Sequence, residues 1–280
     1  MNSSIPLPND LTDQWHQAVT FLGASAPSEV ALRSGLGGRT LSGPVVAANG
    51  VEAWLRVMAA PRPEGKLWEG AALAERYLSA TIPRPDLLAD HSWSSDGAAF
   101  QAHLWALLRG KELSETPDLS APADVTDQWW SALHGAVDEV GRTPMPVGRE
   151  VITQAFIHRM PRFIPALEGA DLTVKDWRTA HGDLHWANVT KEPLELIDWE
   201  GWGGAPAGYD AAVLLAYSLP APATASKVRD VFGSLLRTET GRLAQLVICA
   251  EIIQASERDD IHARLRPYSE GLVTELLAPQ

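Results

Sequence analysis

The chain of 280 residues contains a single cysteine, Cys249. No internal disulfide can form, so the fold cannot rest on a disulfide framework. Cys249 lies in the apolar run Leu243 to Ile253, which makes it a small buried hydrophobe rather than a catalytic thiol. Such cysteine usage suits a reducing compartment, and the expected location is the cytoplasm. Basic residues are also scarce: 23 Lys and Arg stand against 35 Asp and Glu, a formal net charge of −12. That balance speaks against nucleic acid as the partner, because phosphate backbones attract basic surfaces. No stretch reaches the roughly 18 uninterrupted apolar residues that a membrane-spanning helix needs. Met1 to Asp10 carries neither the basic patch nor the apolar run of a secretory leader. The expectation is a soluble protein with neither membrane nor nucleic acid among its partners.

What is present is ordinary globular material, 45% hydrophobic and 21% charged. The length exceeds a typical single domain and predicts two lobes. Thr12-Asp13 introduces a helical pattern over 11–23, with Trp15, Val19 and Leu22 on one face and Gly23 as its stop. Thr126-Asp127 opens a second amphipathic helix to about Val140. Between them the texture changes. Val45 to Ala47 and Trp54 to Val57 flank Asn49-Gly50, a hairpin signal because both turn positions favour positive φ. Leu67 to Leu78 predicts a helix. Residues 86–90 and 98–108 suit strands, although Ala99 to Leu108 also fits a helix. Arg109-Gly110 suits a hinge. Beyond it the chain is expected to be mostly helical, with an irregular stretch from Ala180 to Asp210.

That irregular stretch carries the chemistry. It reads His181-Gly182-Asp183-Leu184-His185-Trp186-Ala187-Asn188, then Leu194-Glu195-Leu196-Ile197-Asp198-Trp199-Glu200. An Asp and an Asn five apart can project from one short loop, and Asp198 at the end of an apolar strand can reach the same place. Phosphoryl transfer needs such a set: one carboxylate to orient the attacking hydroxyl and take its proton, and hard oxygen ligands to hold Mg2+ on the phosphates.

The pattern H-G-D-x-x-x-x-N followed by I-D-W-E resembles the aminoglycoside phosphotransferase and choline kinase-like family, which shares the protein-kinase fold. The resemblance implies an α+β, bilobal, protein-kinase-like fold. A small N-terminal nucleotide-binding lobe over 1–108 would carry an antiparallel sheet, and a larger, mostly helical lobe over 109–280 would carry catalysis and the acceptor. By position, Asp183 would be the catalytic base, and Asn188 and Asp198 the Mg2+ ligands. His181, His185 and Asp210 would support the loop. Ser34, Gly35, Gly37, Gly38, Arg39 and Thr40 would form the glycine-rich loop over the phosphates of ATP or GTP. Arg56 would stand where protein kinases have a lysine, with Glu69 as its helical partner. Leu107 and Leu108 would lie in the segment that meets adenine through the backbone. Two departures are plain: arginine replaces lysine at 56, and the glycines do not fit G-x-G-x-x-G.

Plainer readings stand beside these. Asp210 could cap a helix starting at Ala211, Arg56 could be an edge-strand surface charge, and Glu69 a first-turn acid favoured by the helix dipole. His103 and His158 suit satisfied core histidines, and the 11 tryptophans suit packing. His181, Asp183 and His185 alternate as H-x-D-x-H, which would suit a zinc hydrolase. A pseudokinase that binds nucleotide without transfer is the non-enzyme alternative. The partner expected is a small-molecule acceptor bearing an amine, an aminoglycoside or another hydroxylated amine, facing Glu200, Trp202, Glu251, Glu257 and Asp259.

Overall fold

The computed structural model describes residues 10–35, 38–145 and 147–279, and it divides into two compact units. Unit 1 comprises Met1–Ala71 and Arg84–Leu108; unit 2 comprises Ala72–Pro83 and Arg109–Gln280. The segment 72–83 therefore departs from the expected split at 108. Its Ala74, Leu78 and Ile82 belong to the large hydrophobic core of unit 2.

Unit 1 opens with helix α1 (Thr12–Phe21). Thr12 is its first helical residue; the Asp10 carboxylate before it accepts from the Thr12 N–H at 2.9 Å. Gly23, at φ +61, ends the helix as the sequence suggested. Strands β1 (Arg33–Ser34), β2 (Thr40–Val46) and β3 (Glu52–Ala60) follow, then α2 (Lys66–Tyr77), β4 (Leu87–Ser95) and β5 (Ala98–Ala106). The sheet is antiparallel with order β1-β2-β3-β5-β4. Asn49-Gly50 turns β2 into β3, with Gly50 at φ +82. Period-two alternation separates the two faces. Leu41, Leu55, Val57, Phe100 and Leu104 face α1 and pack with Trp15, Ala18 and Val19. Trp15 is fully buried, and its indole N–H donates to the Leu55 carbonyl at 3.2 Å.

Unit 2 is built from helices around a buried centre. Its elements are α3 (Asp127–Arg142), α4 (Gln154–Ile157), β6 (Trp177–Ala180), β7 (Gly203–Pro206), α5 (Tyr209–Ser218), α6 (Pro222–Val231), α7 (Gly233–Leu236), α8 (Glu239–Ala255) and α9 (Asp260–Leu277). Thr126 caps α3 by accepting from the Trp129 N–H. Every residue of α5 is buried, as befits a helix apolar all round. Cys249 sits in α8, fully buried, and burial pushes its thiol up to about 12, so it is inert at neutral pH.

Irregular backbone runs over 107–126, where helix was expected beyond Gly110, and begins again at 143 rather than at 180. Between α3 and β6 the only α-helix among the described residues is the four-residue α4. Tertiary bonds hold this stretch: Thr179 Oγ1 donates to the Thr143 carbonyl at 2.7 Å, and Gln154 spans Leu172 O and Val174 N. His158 falls just past α4 and is exposed, not in a core. No helix among the described residues is long and apolar enough to cross a membrane.

Trp15 fills the space between helix and sheet. Trp15→Ala is expected to cost roughly 3–5 kcal/mol, read as a lowered urea midpoint; a midpoint equal to the parent's contradicts this packing.

Candidate active site

The site grows out of a two-stranded ribbon. β6 and β7 pair antiparallel, Ala180 opposite Gly203, and the chain between them forms the loop that bears His181 to Asp198. Gly182 follows at φ +88, where a Cβ would lie 2.7 Å from a methyl of Val151, so only glycine fits. Gly208, also at φ +88, leads into α5 and places Asp210 in the first turn.

Asp210 is buried, and its two oxygens are both used. Oδ2 accepts from the His181 N–H at 2.8 Å and Oδ1 from the Gly182 N–H at 2.9 Å. Burial raises its pKa to about 6 against the opposing effect of these two bonds. The carboxylate is therefore ionised at neutral pH. Its side chain holds the loop rather than capping a helix at Ala211; the N-cap is Gly208.

His181 is fully buried and 4.4 Å, ring to ring, from Trp199. Its Nε2–H donates to the Ile197 carbonyl at 2.9 Å, and its Nδ1 accepts from the Asp183 N–H at 3.3 Å. One neutral tautomer satisfies both bonds, and burial lowers its pKa to about 4. With both nitrogens committed to backbone, His181 cannot ligate zinc. Among the described residues no group of three or more His, Cys, Asp or Glu is arranged to hold a metal ion. This geometry gives the hydrolase reading no support.

The next residues form a short bonded chain. Asn188 Nδ2–H donates to the Asp183 carbonyl at 2.8 Å, and the Ile197 N–H donates to the Asn188 carbonyl at 3.0 Å. His185 Nε2 lies 3.6 Å from Asp183 Oδ2 and 3.4 Å from Asn188 Nδ2. The Asp183 side chain is 55% exposed, while Asn188 is buried. Asp198 does not end a strand. It follows an isolated bridge between Val189 and Leu196, at φ +67, with its side chain exposed. A non-glycine residue in that region is held there by its surroundings: the Leu196 N–H donates to Pro83 O, and Trp199 Nε1–H to Leu196 O.

Beside Asp183 opens a cavity of about 260 Å³, lined by Tyr209, Tyr217, Glu251, Arg258 and His262 and walled by Ile248 and Ile252. The Tyr209 hydroxyl donates to Glu251 Oε2 at 2.5 Å. Of the residues expected at the acceptor, Glu251 lines this space. Trp202 does not: it is fully buried against Arg149 and Tyr77. Glu200 offers its carbonyl to Arg149 and lies outside the lining, and Glu257 faces solvent. Asp259 acts one step removed, through a short hydrogen bond to His262 Nδ1. Tyr209, Tyr217, Arg258 and His262 were not anticipated. The spacing of Tyr209, Val213 and Tyr217, four apart on one helix face, was the available signal.

Unit 1 holds the other expected residues. Arg56 lies on β3, a central strand, so it is not an edge charge; it stands between Ser42 on β2 and His103 on β5. His103 is buried with its Nε2 unsatisfied, and burial, then Arg56, lowers its pKa to about 4. It is a core histidine but not a satisfied one. The exposed Glu69 accepts from the Gly65 N–H at 3.3 Å. Ser34, Gly35, Gly38, Arg39 and Thr40 form the β1–β2 turn, with the Gly35 N–H on Thr40 O and the Gly38 N–H on Gly35 O, each at 3.0 Å. Gly37 lies outside the described residues. Leu107 and Leu108 end unit 1 just past β5.

An antiparallel sheet followed by this helical unit is the fold of small-molecule phosphotransferases. The chain is similar to a thermostable mutant of aminoglycoside phosphotransferase APH(4)-Ia, at 14% identity over 95% of this chain and 100% of that one, with a TM-score of 0.62. It is similar to amicoumacin kinase hAmiN in complex with AMP-PNP, Ca2+ and Ami, at 14% identity over 95% and 94%, TM-score 0.60. It is also similar to choline kinase LicA from Streptococcus pneumoniae, at 14% identity over 94% and 98%, TM-score 0.56. No family model and no curated protein sequence matches. The likeness establishes the aminoglycoside phosphotransferase and choline kinase-like fold.

Between pH 6.5 and about 4 an unfolded chain protonates the His181 imidazole while the folded protein does not. Stability from this residue therefore falls as pH drops through that window. His103 acts in the same sense, and Asp210 in the opposite sense from 3.8 to about 6. Against the parent, His181→Asn is expected to flatten the acid limb of urea midpoint against pH; an identical limb contradicts a buried neutral imidazole.

Proposed function

We propose that this chain is an ATP-dependent phosphotransferase that moves the γ-phosphate to a hydroxyl of a small, amine-bearing molecule. The observation that carries the reading is Asp183: a half-exposed carboxylate on a loop locked by buried hydrogen bonds, opening onto a cavity within the same unit.

In this reading Asp183 accepts a hydrogen bond from the acceptor hydroxyl, orients it for in-line attack and takes its proton as the new bond forms. His185, 3.6 Å away, keeps the carboxylate turned toward that proton. Asn188 spends its Nδ2 on the loop, which leaves Oδ1 as a pure acceptor. With the exposed Asp198 carboxylate it makes a pair of hard oxygen donors that fits Mg2+. When bound, the ion neutralises phosphate charge. Arg56 is the phosphate-holding side chain of unit 1 in this reading, with the Ser34–Thr40 turn as the phosphate loop; the Gly35 and Gly38 N–H groups are spent within that turn. ATP is the donor proposed, with GTP as the alternative; the neighbour hAmiN was solved with an ATP analogue and a divalent cation. The amine follows from the wall beside Asp183, where the Glu251 carboxylate and the Tyr209 oxygen accept rather than donate.

Transfer of labelled γ-phosphate from MgATP to a pooled set of hydroxylated amines tests this directly. Asp183→Ala is expected to lower kcat by roughly 10²–10⁴ with MgATP affinity intact, and Asp198→Ala to weaken MgATP binding as well. Transfer at the parent rate in either variant refutes the assignment.

A further inference from the structure

The cavity beside Asp183 holds charges of both signs. Glu251 lines it, with Asp183 at its edge, and Arg258 lines it from the turn that follows α8. Among the described residues the Arg258 guanidinium has no ion-pair or hydrogen-bond partner. Arg264, by contrast, is tied to Asp118 and Arg266 to Glu270. An arginine in a cavity wall with its fork unspent is suited to a carboxylate or phosphate.

The tyrosines settle the rest of the wall. Asp259 and His262 Nδ1 share a short hydrogen bond, and the Tyr217 hydroxyl bonds His262 Nε2 at 2.9 Å. Tyr209 O–H is spent on Glu251. The Tyr209 hydroxyl therefore turns lone pairs, not its proton, toward the cavity, and the Tyr217 hydroxyl is engaged with His262. A ligand here must bring its own donors, an ammonium and hydroxyls, to the Glu251 end and an acceptor to Arg258. A simple amine leaves the guanidinium to water, and a simple acid meets two carboxylates. The volume, about 260 Å³, accommodates a single-ring or amino-acid-sized molecule.

We propose that the acceptor is a small hydroxylated zwitterion, its ammonium group held by Glu251 and its anionic group by Arg258. This inference rests on the phosphotransferase reading for what is done to the ligand, but not for its binding.

The test uses the full chain and matched probes: muramic acid as the zwitterion, glucosamine lacking the acid, and glucuronic acid lacking the amine. A second set comprises homoserine, 3-aminopropanol and 4-hydroxybutyrate. Affinities are measured by ligand-observed NMR without nucleotide, and transfer from labelled MgATP is followed separately. In at least one set the zwitterion is expected to bind about tenfold or more tightly than its amine and its acid, as one charge-assisted contact provides. Arg258→Gln, on the exposed turn after α8, is expected to abolish the advantage over the amine. A zwitterion bound no better than its amine in both sets, absence of binding included, overturns the proposal; so does an advantage that survives Arg258→Gln. Transfer to glucosamine as efficient as to muramic acid overturns it while leaving the phosphotransferase intact. A zwitterion advantage lost in Arg258→Gln, with no phosphate moved to any probe, upholds the ligand class and removes the phosphotransferase reading instead.

Discussion

Asp210 is the constraint on which the rest of the site depends. Burying a carboxylate is costly unless it is hydrogen-bonded, and here the pKa raised to about 6 records that cost. Two backbone N–H groups from consecutive residues, His181 and Gly182, meet its two oxygens. The first turn of α5 adds the favourable end of a helix dipole. A helix that is buried along its whole length cannot shift easily, so the loop inherits its rigidity.

From that anchor the geometry passes along the chain by backbone bonds. His181 joins the Asp183 amide to the Ile197 carbonyl, and Asn188 joins the Asp183 carbonyl to the Ile197 amide. The Asp183 and Asp198 side chains are exposed, while the backbone that carries them is fixed by these bonds. Such an arrangement places charge in advance, so little reorganisation is needed at the moment of reaction. The cavity wall is tied down in the same way, Tyr209 to Glu251 and Tyr217 to His262.

The legible parts of the sequence were those in which neighbours in sequence are neighbours in space. Asn49-Gly50 specified its hairpin, Thr126 its cap, and His181 to Asn188 the loop, because each is a local device. Misjudged parts depended on distant partners. Trp202 next to Asp198 suggested a pocket wall, but Arg149 and Tyr77 cover it. The stretch after Arg142 looked helical, yet its polar groups are satisfied by side chains many residues away, which periodicity cannot reveal. Arg258 and His262 gave no signal because α5, α8 and the start of α9 bring them to the Asp183 loop only on folding. Arg56 was legible as a charge on a strand; the central place of that strand was not.

Amide hydrogen exchange at His181 and Gly182, compared between the parent and Asp210→Asn, tests the anchor itself. The amide side chain keeps one acceptor oxygen and loses the charge, so exchange at one or both amides should quicken by about tenfold to a hundredfold, the worth of a hydrogen bond to a charged group. Protection at the nearby Trp186 amide, which donates to the Pro117 carbonyl, should hold. Unchanged protection at both His181 and Gly182 would show that the loop stands without Asp210 and would contradict the account.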